Sequence, residues 1–95
     1  MGKIYVGQNF KIELTTDEDI TSAQSVKIKY KNPSGVVGEW TATVENALIG
    51  LIKYDVLVAD NTKAGTWVVW AKITDVNGLI LIGESSTFVT YKEGN

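Results

Sequence analysis

The residues that could do chemistry in this chain are carboxylates, lysines and tryptophans, because the sequence contains neither histidine nor cysteine. The chain therefore lacks the usual general base near neutral pH, the commonest metal ligand, and any thiolate nucleophile or disulfide. Common nucleophilic triads are excluded as well. A carboxylate pair remains, but it must face a substrate cleft that a chain of 95 residues has little material to build. We predict no enzymatic activity, no catalytic residue and no bound cofactor.

The densest group of oxygen ligands is Asp17-Glu18-Asp19, which Asp60 or Asp75 could join. Calcium takes carboxylate oxygens of this kind, but the spacing of these residues matches no calcium-loop motif. A short acidic run between strands is more often a solvated loop. We therefore predict a polar connection here and no metal site.

The basic residues are nine lysines and no arginine, in a chain whose formal net charge is −2. Lys27, Lys29 and Lys31 form a stripe that could touch phosphate or an acidic partner. Nucleic-acid binding usually relies on clustered arginine and lysine within a positive field, so we predict a solvated strand face and no nucleic-acid partner. The apolar stretches are far shorter than the roughly 20 residues that cross a bilayer, and the first residues lack the apolar core of a signal peptide. No membrane partner is predicted.

The three tryptophans, Trp40, Trp67 and Trp70, could form a platform on which sugars stack. Aromatic side chains also dominate protein cores and protein interfaces, and we predict these roles first. A carbohydrate-binding or adhesin-like module is the alternative function.

The element that must position these residues is segment 64–74, AGTWVVWAKIT, in which apolar residues recur at every second position. This period is typical of a β-strand with a buried face. One face holds Trp67, Val69, Ala71 and Ile73, and the other holds Thr66, Val68, Trp70, Lys72 and Thr74. The run 60–65 before it has the composition of a turn and predicts a crossover between two sheets.

Other segments also predict strands, namely 4–6, 10–14, 25–31, 39–44, 51–58, 79–83 and 85–91. Pro33 and Gly35 predict a turn after the lysine stripe, and Asn77-Gly78 predicts a hairpin turn. Segment 47–52 fits either a helical turn or the start of a strand. Gly83 indicates a bulge.

If segments 25–31 and 39–44 pair as a hairpin, their alternation places Tyr30 opposite Trp40 and Lys31 opposite Glu39. The same register places Ile28 opposite Ala42, and Val26 opposite Val44.

About seven short strands at roughly 8 to 12 residue spacing are typical of an immunoglobulin-like antiparallel β-sandwich. We predict this all-β fold, as a single domain over residues 1–95, with a small closed barrel as the alternative. The corner before Trp67 favours the sandwich, because Trp67 takes the place of the tyrosine that usually occupies the entry to an immunoglobulin F strand.

Four stretches, KIYVGQNFKIELTT, SVKIKYKNPSGVVGEWTATV, GLIKYDV and AGTWVVWAKITDVNG, together resemble small immunoglobulin-like structural proteins of tailed bacteriophages and prophages. The resemblance implies a virion protein of the neck, tail or head-decoration type that acts through protein–protein contacts. It implies manufacture in the bacterial cytoplasm, location in the virion, and other virion proteins or further copies of the chain as partners. No catalytic or ligand-binding residue comes with that family.

The second face of the central strand carries Val68 and Trp70, and the returning segment adds Ile80 and Ile82 at alternate positions. A sheet face turned to water should carry polar residues there. Since a contiguous exposed apolar patch usually marks an interaction site, these four residues are the predicted interface. The alternative is that the N-terminal strand or segment 46–51 covers this face within the chain.

Overall fold

The computed structural model describes residues 4–57 and 62–92. Over these ranges the chain forms nine β-strands and no helix. The strands are β1 (Ile4–Tyr5), β2 (Phe10–Thr15), β3 (Ala23–Lys31), β4 (Val37–Thr41), β5 (Thr43–Asn46), β6 (Leu51–Val56), β7 (Gly65–Asp75), β8 (Ile80–Ile82) and β9 (Ser86–Tyr91). The described chain accordingly has no helix with the length and apolarity that a bilayer crossing needs.

The strands form two sheets that pack face to face. The larger sheet has the order β1-β9-β7-β3-β4, with β8 also paired to β7, and the smaller sheet has the order β2-β6-β5. Every pair is antiparallel except β1 with β9. Strand β7 lies in the middle of the larger sheet, as the alternation in segment 64–74 predicts. The predicted all-β sandwich is confirmed.

The core lies between the inner faces of the two sheets. All four residues assigned to the inner face of β7 are buried, and Trp67 is only 3% exposed. Ile28 of β3 and Ile52 of β6 are completely buried. Ile20 is buried as well, so it anchors the acidic loop 16–22 to the core. The remaining buried apolar residues are Ile12, Trp40 and Val56.

Aromatic rings form a continuous stack through this core. The Trp40 ring lies 4.4 Å from Tyr30 and 4.9 Å from Tyr54, in nearly parallel planes with both. Trp67 stacks on Phe88, with ring centroids 5.8 Å apart. Trp40 and Trp67 also stack, with ring centroids 6.1 Å apart. Because such pairs stabilise beyond the area that they bury, this stack ties β3, β4, β6, β7 and β9 together.

The predicted strand 39–44 is divided in two, because the chain passes from one sheet to the other at Ala42. β4 pairs with β3 in the larger sheet, whereas β5 pairs with β6 in the smaller one. The Ala42 N–H still donates to the Val26 carbonyl oxygen, at 3.0 Å, before the chain departs. The predicted pairing of Val26 with Val44 was therefore wrong.

The register of the β3–β4 hairpin differs by two residues from the prediction. Ile28 lies opposite Trp40, and Lys29 rather than Lys31 lies opposite Glu39. The cause is a tight loop: the Asn32 N–H donates to the Val36 carbonyl oxygen, so the chain reverses within 33–35. Gly35 permits this reversal through its positive φ of 86°. Tyr30 and Trp40 still stack, as diagonal neighbours.

The chain that returns along β7 contains a bulge. β8 pairs with β7 as Lys72 with Ile82, but β9 resumes as Val69 with Ser86, so the returning chain has one extra residue between these pairs. The Gly83 N–H donates to the Ala71 carbonyl oxygen at 3.0 Å, which holds the bulge against β7. This is the bulge that Gly83 indicated.

Segment 47–52 forms a turn followed by the start of a strand, and not a helical turn. Residues 47–50 form the turn, and β6 begins at Leu51. The predicted crossover 60–65 connects β6 of the smaller sheet to β7 of the larger sheet, although Asp60 and Asn61 lie outside the described residues.

Candidate functional site: the outer face of the larger sheet

The structure brings the four predicted interface residues to one face of the larger sheet. Val68 and Trp70 lie at alternate positions on the outer face of β7 and are half-buried. Ile80 and Ile82 lie on the same face of β8, opposite Thr74 and Lys72, and are 58% and 63% exposed. The patch therefore runs diagonally from β7 to the end of β8.

Neither of the segments proposed to cover this face does so. β1 extends the larger sheet beside β9, in its plane. The turn 47–50 belongs to the other side of the molecule, where the Ala47 carbonyl accepts from Ile20 N–H and the Gly50 carbonyl accepts from Thr16 N–H. Among residues 4–57 and 62–92, the outer face of β7 is left uncovered by any strand.

Lysines surround the apolar patch on its β3 side. Lys29 lies opposite Trp70, and Lys31 lies opposite Val68. The Lys29 side chain is only 22% exposed, since a lysine stem can lie along an apolar surface while its ammonium group stays in water. Lys29 and Lys31 thus border Trp70 and Val68, which are half-buried.

Glu39 is the acidic residue within this lysine group. Lys29 Nζ lies 3.1 Å from Glu39 Oε1, and Lys27 Nζ lies 3.8 Å from Oε2. The hydrogen bond from Lys29 and then its charge lower the pKa of the Glu39 carboxyl, with weaker help from Lys27 and Lys72. On β3, β4 and β7 the outer face thus carries Glu39 against four lysines, Lys27, Lys29, Lys31 and Lys72.

The outer face of the smaller sheet has a different character. Lys11 lies opposite Asp55, and Glu13 lies opposite Lys53. Lys11 Nζ and Glu13 Oε1 also form an ion pair at 3.4 Å. Charges of both signs alternate over this face, as is usual for a solvated sheet surface. The apolar patch is therefore a property of the larger sheet alone.

The tryptophans do not form an exposed platform for sugars. Trp40 is 7% exposed and Trp67 is 3% exposed, so both belong to the core. The indole Nε1 of Trp67 donates to the Lys63 carbonyl oxygen and to the Thr90 hydroxyl inside the protein. Only Trp70 is available on the surface, and no observation favours the carbohydrate-binding alternative.

The acidic residues 17–19 organise their own loop. Asp19 Oδ1 accepts from the N–H and the hydroxyl of Thr21, at 2.9 and 2.8 Å, and these bonds lower the pKa of Asp19. In the described part of the chain, no three acidic side chains converge in a way that could hold a metal ion. Asp60 lies outside that part.

Sequence reasoning missed two features of this region. Lys72 of β7 joins the lysine stripe, because it lies opposite Lys27; alternation places Lys72 on the face of Trp70, but its place beside the stripe depends on the register of β3 against β7. The second feature is that β8 forms an open edge of the sheet. A three-residue apolar strand between a turn and Gly83 is a signal of such an edge, but strand order depends on distant parts of the chain.

Comparison with known proteins shows the fold and no family. No protein-family model matches this sequence, and no curated protein matches it. The crystal structure of CopC from Methylosinus trichosporium OB3b is similar, with a TM-score of 0.62 and 16% sequence identity, over 100% of this chain and 89% of CopC. At that identity the likeness establishes the immunoglobulin-like β-sandwich alone.

The same comparison corrects the function that the sequence resemblance implied. The predicted role as a phage or prophage virion component was wrong, and so was the predicted location in the virion, because the matching structure is CopC, which is not a virion protein. The resemblance misled because it rested on strand alternation, a proline-glycine turn and an Ala-Gly-Thr-Trp corner, all of which specify a fold. What the comparisons support is that this chain is an immunoglobulin-like β-sandwich similar in fold to CopC.

Proposed function

We propose that this chain is a non-enzymatic binding module that contacts another protein through the outer face of its larger sheet. The observation that supports it is the contrast between the two outer faces. One alternates charges of both signs, whereas the other exposes Ile80 and Ile82 beside Trp70 and Val68. A contiguous apolar patch with a polar rim is the usual form of a protein-binding surface.

The charged residues around the apolar patch indicate the chemistry of the partner. Four lysines against Glu39 give this face a positive field in a chain whose formal net charge is −2. The partner should therefore present acidic groups around an apolar centre. Two copies packed face to face would place lysines against lysines, so a second copy would be a suitable partner only through a different, acidic surface.

The test uses polyglutamate as an acidic probe, with tryptophan emission as the signal. Trp40 and Trp67 are buried, so a change in emission reports on Trp70. We expect polyglutamate to shift the emission at low ionic strength and salt to reverse the shift. Lys31→Gln should weaken binding, because Lys31 flanks Val68 on this face.

Lys53→Gln is the matched control, since Lys53 lies in β6 opposite Glu13, in the other sheet. It should bind polyglutamate like the wild type. Equal weakening by the two variants, or an unchanged emission in the wild type, would contradict the proposal. Light scattering on the same samples measures self-association. If two copies associate through this face of one and an acidic surface of the other, salt and Lys31→Gln should weaken that association as they weaken the binding of polyglutamate.

A further inference from the structure

Strand β8 pairs with β7 on one side, and no other described strand pairs with it. The Asp75 N–H donates to the Leu79 carbonyl oxygen at 2.9 Å, and the Gly83 N–H donates to the Ala71 carbonyl oxygen at 3.0 Å. Hydrogen-bonded pairs alternate with non-hydrogen-bonded pairs in an antiparallel ladder. Ile80 and Ile82 therefore turn their own N–H and C=O groups away from β7, toward the open edge.

β8 is itself short, and the Gly83 bulge follows it, so the feature that distinguishes it from the edge strands β2, β4 and β5 is its lack of charged residues. β2 carries Lys11 and Glu13, β4 carries Glu39, β5 is irregular at its pairing with β6, and β1 has only two residues. Charges, bulges and short length are the usual protection of edge strands. β8 consists of three apolar residues and has no charge to discourage strand pairing.

Two cavities lie along β8, and Leu81 borders both. The first, of about 120 Å³, lies among Ile20, Ile73 and Leu81, on the inner side of the strand. The second, of about 280 Å³, lies between residues 81–84 and residues 15–18, at the end of β2 and the start of the acidic loop. A strand added beside β8 would direct alternate side chains into these cavities, while its other side chains would lie beside Ile80 and Ile82.

Acidic residues border both cavities. The first is lined by Asp19 and Asp75, and the second by Asp17, Glu18 and Glu84. Within the described residues, no lysine lines either of them. Asp19 and Asp75 use Oδ1 to accept the bonds that form their own turns, so Oδ2 of each remains available to a cationic ligand.

A second copy of the chain fits this edge poorly. Pairing of β8 with β8 of another copy would bring the same five carboxylates of each copy toward one another, and like charges there are destabilising. A cationic strand meets no such repulsion.

We propose that the β8 edge binds an extended peptide segment of a partner by strand addition, and that this segment alternates lysine with apolar residues. The lysines enter the two acidic cavities, and the apolar residues extend the surface formed by Ile80 and Ile82. The main chain of the segment pairs with the free N–H and C=O groups of these two residues. In this recognition mode main-chain hydrogen bonds supply affinity, and the side-chain cavities supply specificity.

The experiment measures the fluorescence anisotropy of a labelled short peptide of alternating lysine and isoleucine. Ile82→Pro removes an N–H that points to the open edge and leaves the ladder to β7 intact, since proline is tolerated at such edge positions. It should lower affinity at least about tenfold, whereas Ile82→Val, which keeps the N–H, should stay within about twofold. In the wild-type complex, hydrogen exchange should slow at the Ile80 and Ile82 amides.

Two further peptides test the proposal on the wild-type protein and do not depend on whether Ile82→Pro folds. A peptide methylated at the nitrogens that face β8 should not bind, and a peptide of alternating glutamate and isoleucine should not bind either. Binding of either peptide at the affinity of the original would overturn the proposal, and so would unchanged affinity in a folded Ile82→Pro variant. Lys31→Gln should not weaken binding of the basic peptide, so failure at this edge is distinguishable from failure of the proposed outer-face contact.

Discussion

The Thr90 hydroxyl closes a hydrogen-bonded link with Trp67 between β9 and the start of β7. Trp67 Nε1 donates to Thr90 Oγ1 at 3.2 Å, and Thr90 Oγ1 in turn donates to the Lys63 carbonyl oxygen at 2.7 Å. Among residues 4–57 and 62–92, Thr90 is the buried polar residue of the core, at 2% exposure. A buried polar group needs partners to offset its lost hydration, and here both functions of the hydroxyl are satisfied.

We expect Thr90→Val to lower the free energy of unfolding by about 0.5 to 1.5 kcal/mol, because it removes the two hydrogen bonds of the hydroxyl, while Trp67 Nε1 still donates to the Lys63 carbonyl oxygen at 3.1 Å. Urea unfolding followed by tryptophan emission measures the loss. Thr90→Ser keeps the hydroxyl and should retain the link, losing only what its missing methyl group contributed. A Thr90→Val variant as stable as the wild type would show that the hydroxyl does not matter to the fold.

The aromatic stack predicts that Trp40 and Trp70 respond differently to truncation. Trp40 is buried between Tyr30 and Tyr54, so Trp40→Ala should cost about 3 to 5 kcal/mol. Trp70 is half-buried on the outer face, so Trp70→Ala should cost clearly less. The two unfolding free energies, measured side by side, give the comparison. Equal losses would contradict the assignment of Trp40 to the core and Trp70 to the surface.

Gly50 lies at a position where any side chain would clash with its neighbours. Its φ is +69°, and an added Cβ would meet the Thr16 hydroxyl and lie 2.6 Å from the Glu18 carbonyl oxygen. Gly50→Ala should destabilise by more than the roughly 1 kcal/mol expected for a positive φ alone. Gly35→Ala is the control, since Gly35 has a similar φ of +86° but open space around it. Melting temperatures of the two variants separate the steric cost from the backbone cost, and similar values would argue against the clash.

Acid should weaken the fold partly through Glu39. Lys29 lowers the pKa of Glu39 in the folded state, so the unfolded chain binds its proton at a higher pH than the folded chain does. The stabilisation is present above the ordinary glutamate pKa of about 4.3 and is lost as pH falls through the lower folded value. Glu39→Gln should make the melting temperature fall less steeply below that pH.

Lys29→Gln removes the cause of the same shift and is the matched variant. It should flatten the acid limb of the curve as Glu39→Gln does, and the double variant should add little to either change. Additive effects of the two substitutions would show that the acid response of Glu39 does not come from Lys29.

The sequence predicts the sandwich and its central strand because these depend on local alternation. The inner face of β7 and the shared outer face of Val68, Trp70, Ile80 and Ile82 follow from a period of two, which the structure reproduces. The β3–β4 register and the passage between sheets at Ala42 do not follow from it. They depend on the tight loop that Gly35 allows and on which sheet accepts the next strand.

The open edge of β8 was beyond local reasoning for a similar reason. Whether a strand has one neighbour or two is decided by the order of strands in the sheet, which joins residues far apart in the chain. The lysines around Trp70 lie on β3 and β7, and Glu39 lies on β4, so their common face also became visible only with the register of these three strands.

The bulge at Gly83–Ser85 changes which residue numbers face the core. Before it Leu81 points inward and its even-numbered neighbours point out, whereas after it Phe88 and Thr90 point inward. One extra residue thus reverses the parity of the returning chain, so that both halves turn apolar side chains toward the core between the two sheets. Removal of a single residue here would force a choice between a buried Leu81 and a buried Phe88, so the length of this short segment is under stricter constraint than its composition.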